Sequence, residues 1–163
     1  MPVKYAVDAA RLESGYREIQ SRVHPDRFAS ATEAERRAAM QWAAAANEAY
    51  RTLRDPVERA RYLLGLKGFD TEEETNTSMP ADFLMQQMEW REAAAQARAA
   101  RDAAALEALR DGLAGERERM LEALGRAIDA EANYEAGRSL VRKLRFLEKL
   151  DREIDEALEP PGH

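Results

Sequence analysis

The sequence has no cysteine and only two histidines among its 163 residues. Without a thiol there is no disulfide framework, thiolate nucleophile, Cys-ligated zinc or Cys-held iron–sulfur cluster, and two imidazoles leave little for a histidine-rich metal site. No metal or cofactor is expected. Positive charge is also short: 25 Lys plus Arg stand against 31 Asp plus Glu, a formal net charge of -6. Bulk attraction to nucleic acid or to an anionic membrane is thereby disfavoured, so any basic face has to be local. No run approaches the ~20 apolar residues of a membrane span. The first residues, Met1 to Ala10, carry no apolar stretch after a basic start. These absences point to a cytoplasmic protein with neither nucleic acid nor membrane as partner. Glycine and proline are few, at eight and six, β-branched residues are scarce, and no stretch alternates apolar and polar for the length of a strand. Ala, Leu, Glu, Arg and Gln dominate instead, which predicts an all-α fold, and a 45% apolar content can supply a core for one medium domain or two small ones.

Capping residues divide the chain. Asp8 caps a first helix whose apolar positions Leu12, Tyr16, Ile19 and Val23 recur at four, three and four, a stripe that should face a core. Pro25 ends it, because the residue before a proline is pushed out of the α region, so His24, Pro25 and Asp26 lie in a loop running to about Ser30. Two overlapping capping boxes, Ser30 to Glu33 and Thr32 to Glu35, announce a second helix to about Leu53, with Trp42, Ala46, Ala49, Tyr50 and Leu53 as inner residues. Asp55-Pro56, with Glu58 completing a box, restarts a short third helix that Gly68 stops. The acidic, core-free stretch Asp70 to Ser78 reads as an interdomain linker, and Pro80 then opens the first of three further helices. The second starts near Asp102 and the third near Asn133. Leu106, Leu109, Leu113, Met120, Leu124 and Ile128, and then Leu140, Leu144, Leu147, Ile154 and Leu158, form seams for packing long antiparallel helices, so this half is a three-helix bundle.

His24-Pro25-Asp26 is the segment that carries information. A specified tripeptide turns up by chance in about one chain in a hundred of this length, so its surroundings decide. It follows an amphipathic helix, precedes Phe28, and is succeeded by a longer helix ending Asn47-Glu48-Ala49-Tyr50-Arg51-Thr52-Leu53-Arg54-Asp55-Pro56. That combination resembles a J-domain. The resemblance implies an activator of a DnaK-class chaperone ATPase, with His24, Pro25 and Asp26 as the contact loop. The physics agrees: Pro25 stiffens the loop and lowers the entropy lost on docking, Asp26 offers a carboxylate to an arginine, and His24 offers a ring donor. J-domains usually dock through a basic face beside this loop, which here makes Arg11, Arg17, Arg22 and Arg27 the candidates. Asp8, Glu13, Glu18 and Asp26 offset them four against four, so steering should be weak. A His–Asp pair can also serve general acid–base chemistry, but no third group with a nucleophilic role lies near it in sequence. No catalytic residue is expected. The resemblance further implies a short helix before the first one found here, whereas only Met1 to Val7 precede Asp8. On that resemblance the chain is expected to start late or be truncated, which would leave part of the first domain's apolar face uncovered.

The second half narrows the resemblance. Phe83-Leu84-Met85-Gln86-Gln87-Met88-Glu89-Trp90-Arg91-Glu92, Val141-Arg142-Lys143-Leu144-Arg145-Phe146-Leu147-Glu148-Lys149-Leu150 and Tyr62-Leu63-Leu64-Gly65-Leu66-Lys67-Gly68-Phe69-Asp70 are similar to signature segments of the HscB family. That family comprises J-type co-chaperones of iron–sulfur cluster biogenesis, and the absence of cysteine makes its bacterial type, rather than the forms with an added Cys-rich segment, the expectation. The resemblance implies an L-shaped, two-domain adaptor. Residues 1–68 would engage the chaperone HscA, residues 69–79 link, and the bundle 80–159 would bind the scaffold protein IscU. Around the helix from Pro80, Phe83, Trp90 and Ala94 share one side while Leu84, Met85 and Met88 extend the apolar arc to roughly 220°. A bundle needs only about half of that. The surplus is either covered by the J-domain or left for a partner. The resemblance favours a partner, with Leu84, Met85 and Met88 as its apolar patch and Glu89 and Glu92 as the polar flank. Phe146, about 100° off its own seam, either emerges beside that patch or packs against Trp90 or the linker. A J-protein for another client, whose bundle merely self-associates, is the alternative.

Overall fold

A computed structural model describes residues 4–71 and 79–160. Among them are six α-helices and no strand, so the all-α expectation holds. They are α1 (Ala9–Arg22), α2 (Glu33–Arg54), α3 (Pro56–Leu66), α4 (Ala81–Ala99), α5 (Ala103–Gly125) and α6 (Tyr134–Leu158). The centre of the expected linker, residues 72–78, lies outside the described residues, as do Pro2, Val3 and the tail 161–163. The chain divides into two compact units, Met1–Leu63 and Leu64–His163. The division falls inside α3, earlier than the Gly68 boundary read from the sequence.

The helix ends follow the predicted chemistry closely. The Asp8 carboxylate accepts from the amides of Ala10 and Arg11 at 3.0 and 3.2 Å, and that of Asp55 accepts from Val57 and Glu58 at 2.9 and 3.1 Å. These bonds satisfy N–H groups that the first helical turn leaves without partners. Of the two overlapping boxes before α2, the later one is used: Thr32 Oγ1 accepts from the Glu35 amide at 3.1 Å. Gly68 stops α3 with φ +83°. Phe69 N–H donates to Leu64 O at 2.8 Å and Gly68 N–H to Gly65 O at 3.0 Å, the paired bonds of a Schellman stop. Phe69 then packs on Tyr134, ring centroids 5.6 Å apart, with the Arg138 guanidinium over it. Thr71 is buried. The start of the expected linker is thus packed chain.

In the first unit, α1 and α2 form a hairpin. Leu12 and Ala39 are its buried helical residues. Tyr16 and Tyr50 stack with centroids 4.2 Å apart and 8° between planes, and the Tyr16 hydroxyl donates to Asn47 Oδ1. Three residues expected inside, Ile19, Trp42 and Ala49, are exposed here. Ile19 is 41% exposed and Trp42 is 67% exposed. Trp42 sits about 60° around α2 from the line of Ala39 and Ala43 that faces α1. Among the described residues nothing covers that flank, and Ala49 on the same side is exposed as well.

The second unit is a three-helix bundle. Its core joins Ala97, Leu106, Leu113, Leu147, Leu150 and Ile154, with Trp90, Ala94, Leu109, Met120 and Phe146 packed against them. Leu124 and Leu144 are fully buried. Gly137 allows a close approach, since a Cβ there would lie 3.3 Å from Leu64 Cδ2 and 3.5 Å from Ile128 Cγ1. Both reversals place a non-glycine residue in the left-handed region, Arg101 at φ 52° and Ala132 at φ 50°. The residue after each, Asp102 or Asn133, caps the next helix by accepting from the amide of Ala105 or Ala136. Between α5 and α6 the chain passes through a π-helical turn, Arg126–Ala130.

Candidate functional site

Pro25 turns the chain immediately after α1. Because φ is locked and the proline nitrogen has no hydrogen to donate, Pro25 opens a single 3₁₀ turn, Pro25–Phe28, in which Arg27 N–H bonds back to His24 O at 3.0 Å. The His24–Asp26 segment read as plain loop is therefore the N-terminal end of an ordered turn. His24 caps it: Nδ1 accepts from the Asp26 amide at 3.2 Å. An Nδ1 that accepts cannot carry the proton of a neutral ring, so neutral His24 holds its hydrogen on Nε2, the nitrogen left for a partner. The Asp26 carboxylate is 3.6 Å from Nδ1 and its side chain is 93% exposed. With Nδ1 already taken by the amide, that approach is not an ion pair of the neutral ring. The loop offers a ring donor and a free carboxylate on a short, stiff turn whose Phe28 is half-buried.

The flanking cations are less available than the sequence implied. Arg17 bonds Glu13 and Arg22 bonds Glu18, each at 2.6 Å and four residues apart. At 100° per residue the two arginines lie 140° apart around α1, so they do not form one basic stripe. Exposed i,i+4 pairs of this kind hold by only about 0.3–0.5 kcal/mol, which a docking carboxylate can exceed. Arg27, at the end of the 3₁₀ turn, is exposed.

On α4 the expected patch comes together. Leu84, Met88, Glu92, Met85 and Glu89 occupy successive positions over about 140° of the helix, and all five are exposed, Met85 by 65% and Met88 by 71%. The opposite side carries Phe83, Trp90, Ala94 and Ala97, packed inward. Phe146 is on that inward side and not in the patch. It meets Phe83 edge-on at 6.0 Å and stacks near Trp90 at 6.4 Å. The physical reason is that aromatic rings bury most area against each other, and α4 supplies two within reach. Two cations unmarked by the sequence bracket this cluster, Arg91 over Phe146 at 5.2 Å and Lys143 over Phe83 at 5.3 Å. Only the pairing of α4 with α6 brings them to the rings. Among the described residues no group of three or more His, Asp or Glu side chains could hold a metal ion.

A helical hairpin presenting His-Pro-Asp at its turn is the arrangement of a J-domain co-chaperone, here followed by a bundle with an unpacked apolar arc. Residues 79–155 match the family model described as the HSCB C-terminal oligomerisation domain. The HscB co-chaperone homologue of Cupriavidus taiwanensis is 53% identical over 159 residues, covering 98% of this chain and 90% of that protein. Among solved structures, HscB of Vibrio cholerae superposes with a TM-score of 0.82 at 37% identity, covering 96% of this chain and 91% of that one. Human HscB gives a TM-score of 0.87 at 26% identity, covering 95% of this chain and 77% of that one. The chain belongs to the HscB family of co-chaperones.

Proposed function

We propose that the chain stimulates the ATPase of the DnaK-class chaperone HscA through His24-Pro25-Asp26 and delivers the scaffold protein IscU to it, assisting maturation of iron–sulfur proteins in the cytoplasm. The observation that carries this reading is that each unit displays its own binding surface: an ordered turn with an available ring nitrogen and carboxylate on the first, and an exposed Leu84-Met85-Met88 arc on the second. The chain contributes no catalytic group of its own. It shifts the chaperone between conformations by binding one of them better than the other. On this reading Arg17, Arg22 and Arg27 steer the turn to its partner, the first two after release from their glutamates. Leu84, Met85 and Met88 anchor the scaffold, Glu89 and Glu92 border it, and Phe146 sets the height of α4 from beneath. No helix of the described residues is long and apolar enough to cross a membrane, in keeping with a role that needs none.

Two variants separate the surfaces. His24→Gln keeps a hydrogen-bonding side chain but moves the donor, and should return the chaperone's ATPase to its basal rate while leaving scaffold affinity unchanged. Leu84→Ala with Met88→Ala should weaken scaffold binding by about tenfold or more, since buried anchors dominate interfaces, with basal co-chaperone stimulation intact. ATPase stimulation surviving the first change, or calorimetric affinity surviving the second, rejects the corresponding half of the proposal.

A further inference from the structure

Oxidation chemistry in this chain falls on methionine. With no cysteine in the sequence, the thiolate that ordinarily meets a peroxide first is missing, and the thioether of an exposed methionine is the next soft nucleophile. The methionines do not stand alike. Met120 packs against the bundle core, whereas Met85 and Met88 on α4 are 65% and 71% exposed. Met40, on α2 in the other unit, is equally open. What sets the α4 pair apart is the surface it belongs to. At 100° per residue Leu84, Met88 and Met85 stand at about 0°, 40° and 100° around the helix, side by side on its outer face. Two of the three apolar side chains of the arc therefore carry an oxidisable sulfur.

Hydrogen peroxide converts such a sulfur to a sulfoxide. The sulfur lone pair attacks one peroxide oxygen, and the S–O bond forms as the O–O bond breaks. Sulfur gives up two electrons, and the displaced hydroxide takes the proton of the transferred oxygen and leaves as water. The product is a polar hydrogen-bond acceptor where a flexible apolar contact stood. Docking a partner over it strips the water that satisfies it, at the cost of a buried polar group without a partner. We propose that Met85 and Met88 are a reversible modification site, at which peroxide turns off scaffold docking and leaves the His24 turn competent. This rests on the reading of the Leu84-Met85-Met88 arc as the scaffold's anchor. Reversal falls to sulfoxide reductases driven by a dithiol, which release the oxygen as water and oxidise the dithiol to a disulfide. Each enzyme reduces one sulfoxide epimer, so full recovery needs both kinds. The arc thereby reads peroxide without a thiol.

The test treats the full chain with hydrogen peroxide, removes the excess with catalase and locates the sulfoxides by peptide mass. Affinity for the scaffold protein is then measured by calorimetry, and stimulation of the chaperone ATPase is measured without scaffold. Met85 and Met88 should oxidise ahead of the packed Met120. The oxidised chain should bind the scaffold about tenfold or more weaker, while its ATPase stimulation changes by less than about twofold. Met85→Leu/Met88→Leu nearly conserves volume and should bind within about threefold of the original. It should keep that affinity after peroxide, although Met40 still oxidises. Both kinds of sulfoxide reductase with dithiothreitol should return the oxidised original to full affinity. If the untreated chain does not bind the scaffold, the reading of the arc falls and this proposal with it. If the untreated chain binds, four results overturn the modification site alone: equal binding after oxidation, an equal loss in the leucine variant on oxidation, no recovery with the reductases, or stimulation lost together with affinity.

Discussion

The two units are stabilised in different ways. The bundle buries Val141, Leu144, Leu147, Leu150 and Ile154 along α6 alone, a continuous aliphatic seam closed at one end by the Phe83, Trp90 and Phe146 rings. The α1–α2 hairpin buries one leucine and one alanine on its two long helices and relies on the Tyr16–Tyr50 stack. Its Ile19, Met40 and Trp42 face solvent. The first unit's fully buried apolar residues, Val57 and Ala60, lie on α3, so it is the α1–α2 hairpin carrying the His24 turn that lacks the kind of dry core found in the region carrying the α4 arc. Local stability tracks buried apolar contact, so the hairpin should open before the bundle.

The sharpest way to break this comparison is a pair of core deletions. Leu144→Ala empties a fully buried site and should cost about 3–4 kcal/mol in urea unfolding, whereas Leu12→Ala, at a residue that lines a surface cavity of about 330 Å³ together with Tyr16, Ile19 and Tyr50, should cost about 2 kcal/mol or less. Equal losses would mean that the two cores are equivalent. Next in size is Tyr16→Ala, which removes the stack and the bond to Asn47 and should cost about 1–2 kcal/mol. Amide hydrogen exchange should localise that loss to α1 and α2, and acceleration in α5 and α6 would contradict independent stability. A gain is expected at Ala132→Gly, where the left-handed backbone penalises a Cβ: roughly 0.5–1 kcal/mol, after the added freedom of the unfolded chain is subtracted.

The smallest effect sharpens the picture inside the bundle. Burial and then the like charge of Asp155 raise the Asp151 carboxyl above its ordinary value, against the opposing pull of Arg110 and Arg117. The folded state therefore binds that proton more tightly than the unfolded chain. The stability it confers is complete below the ordinary aspartate pKa and is lost as pH rises through the raised folded one. At neutral pH the ionised Asp151 is a slight cost, and because the group is only half-buried the cost is partly screened. Asp151→Asn should raise thermal stability at pH 7 by only about 0.3 kcal/mol, with the gain vanishing toward pH 3. A variant that is less stable at pH 7 would show that the arginines dominate.

Much of the fold was legible because helix ends are local chemistry. Asp8, Asp55, Asp102, Asn133 and Gly68 act within a few residues of themselves, so their type and position suffice to place a cap or a stop. The α4 patch was legible for a related reason: an apolar arc wider than a bundle needs leaves Leu84, Met85 and Met88 outside wherever the packed face settles. Which of two capping boxes opens α2 was not legible, since both have the right spacing and the hairpin decides between them. Nor were the left-handed Arg101 and Ala132, whose side chains carry no signal for that conformation.

By itself the sequence determined the helix count, the breaks between helices, the His24-Pro25-Asp26 turn and the surplus arc of α4. All of these depend on contacts along one helix or across a few bonds. Only the tertiary structure decided that Phe146 is drawn under α4, that Trp42 and Ile19 stay outside, and that Arg17 and Arg22 are tied to their own helix on diverging faces. Those outcomes depend on which helix faces which neighbour, a choice made by the total area the whole unit can bury and not by any one segment.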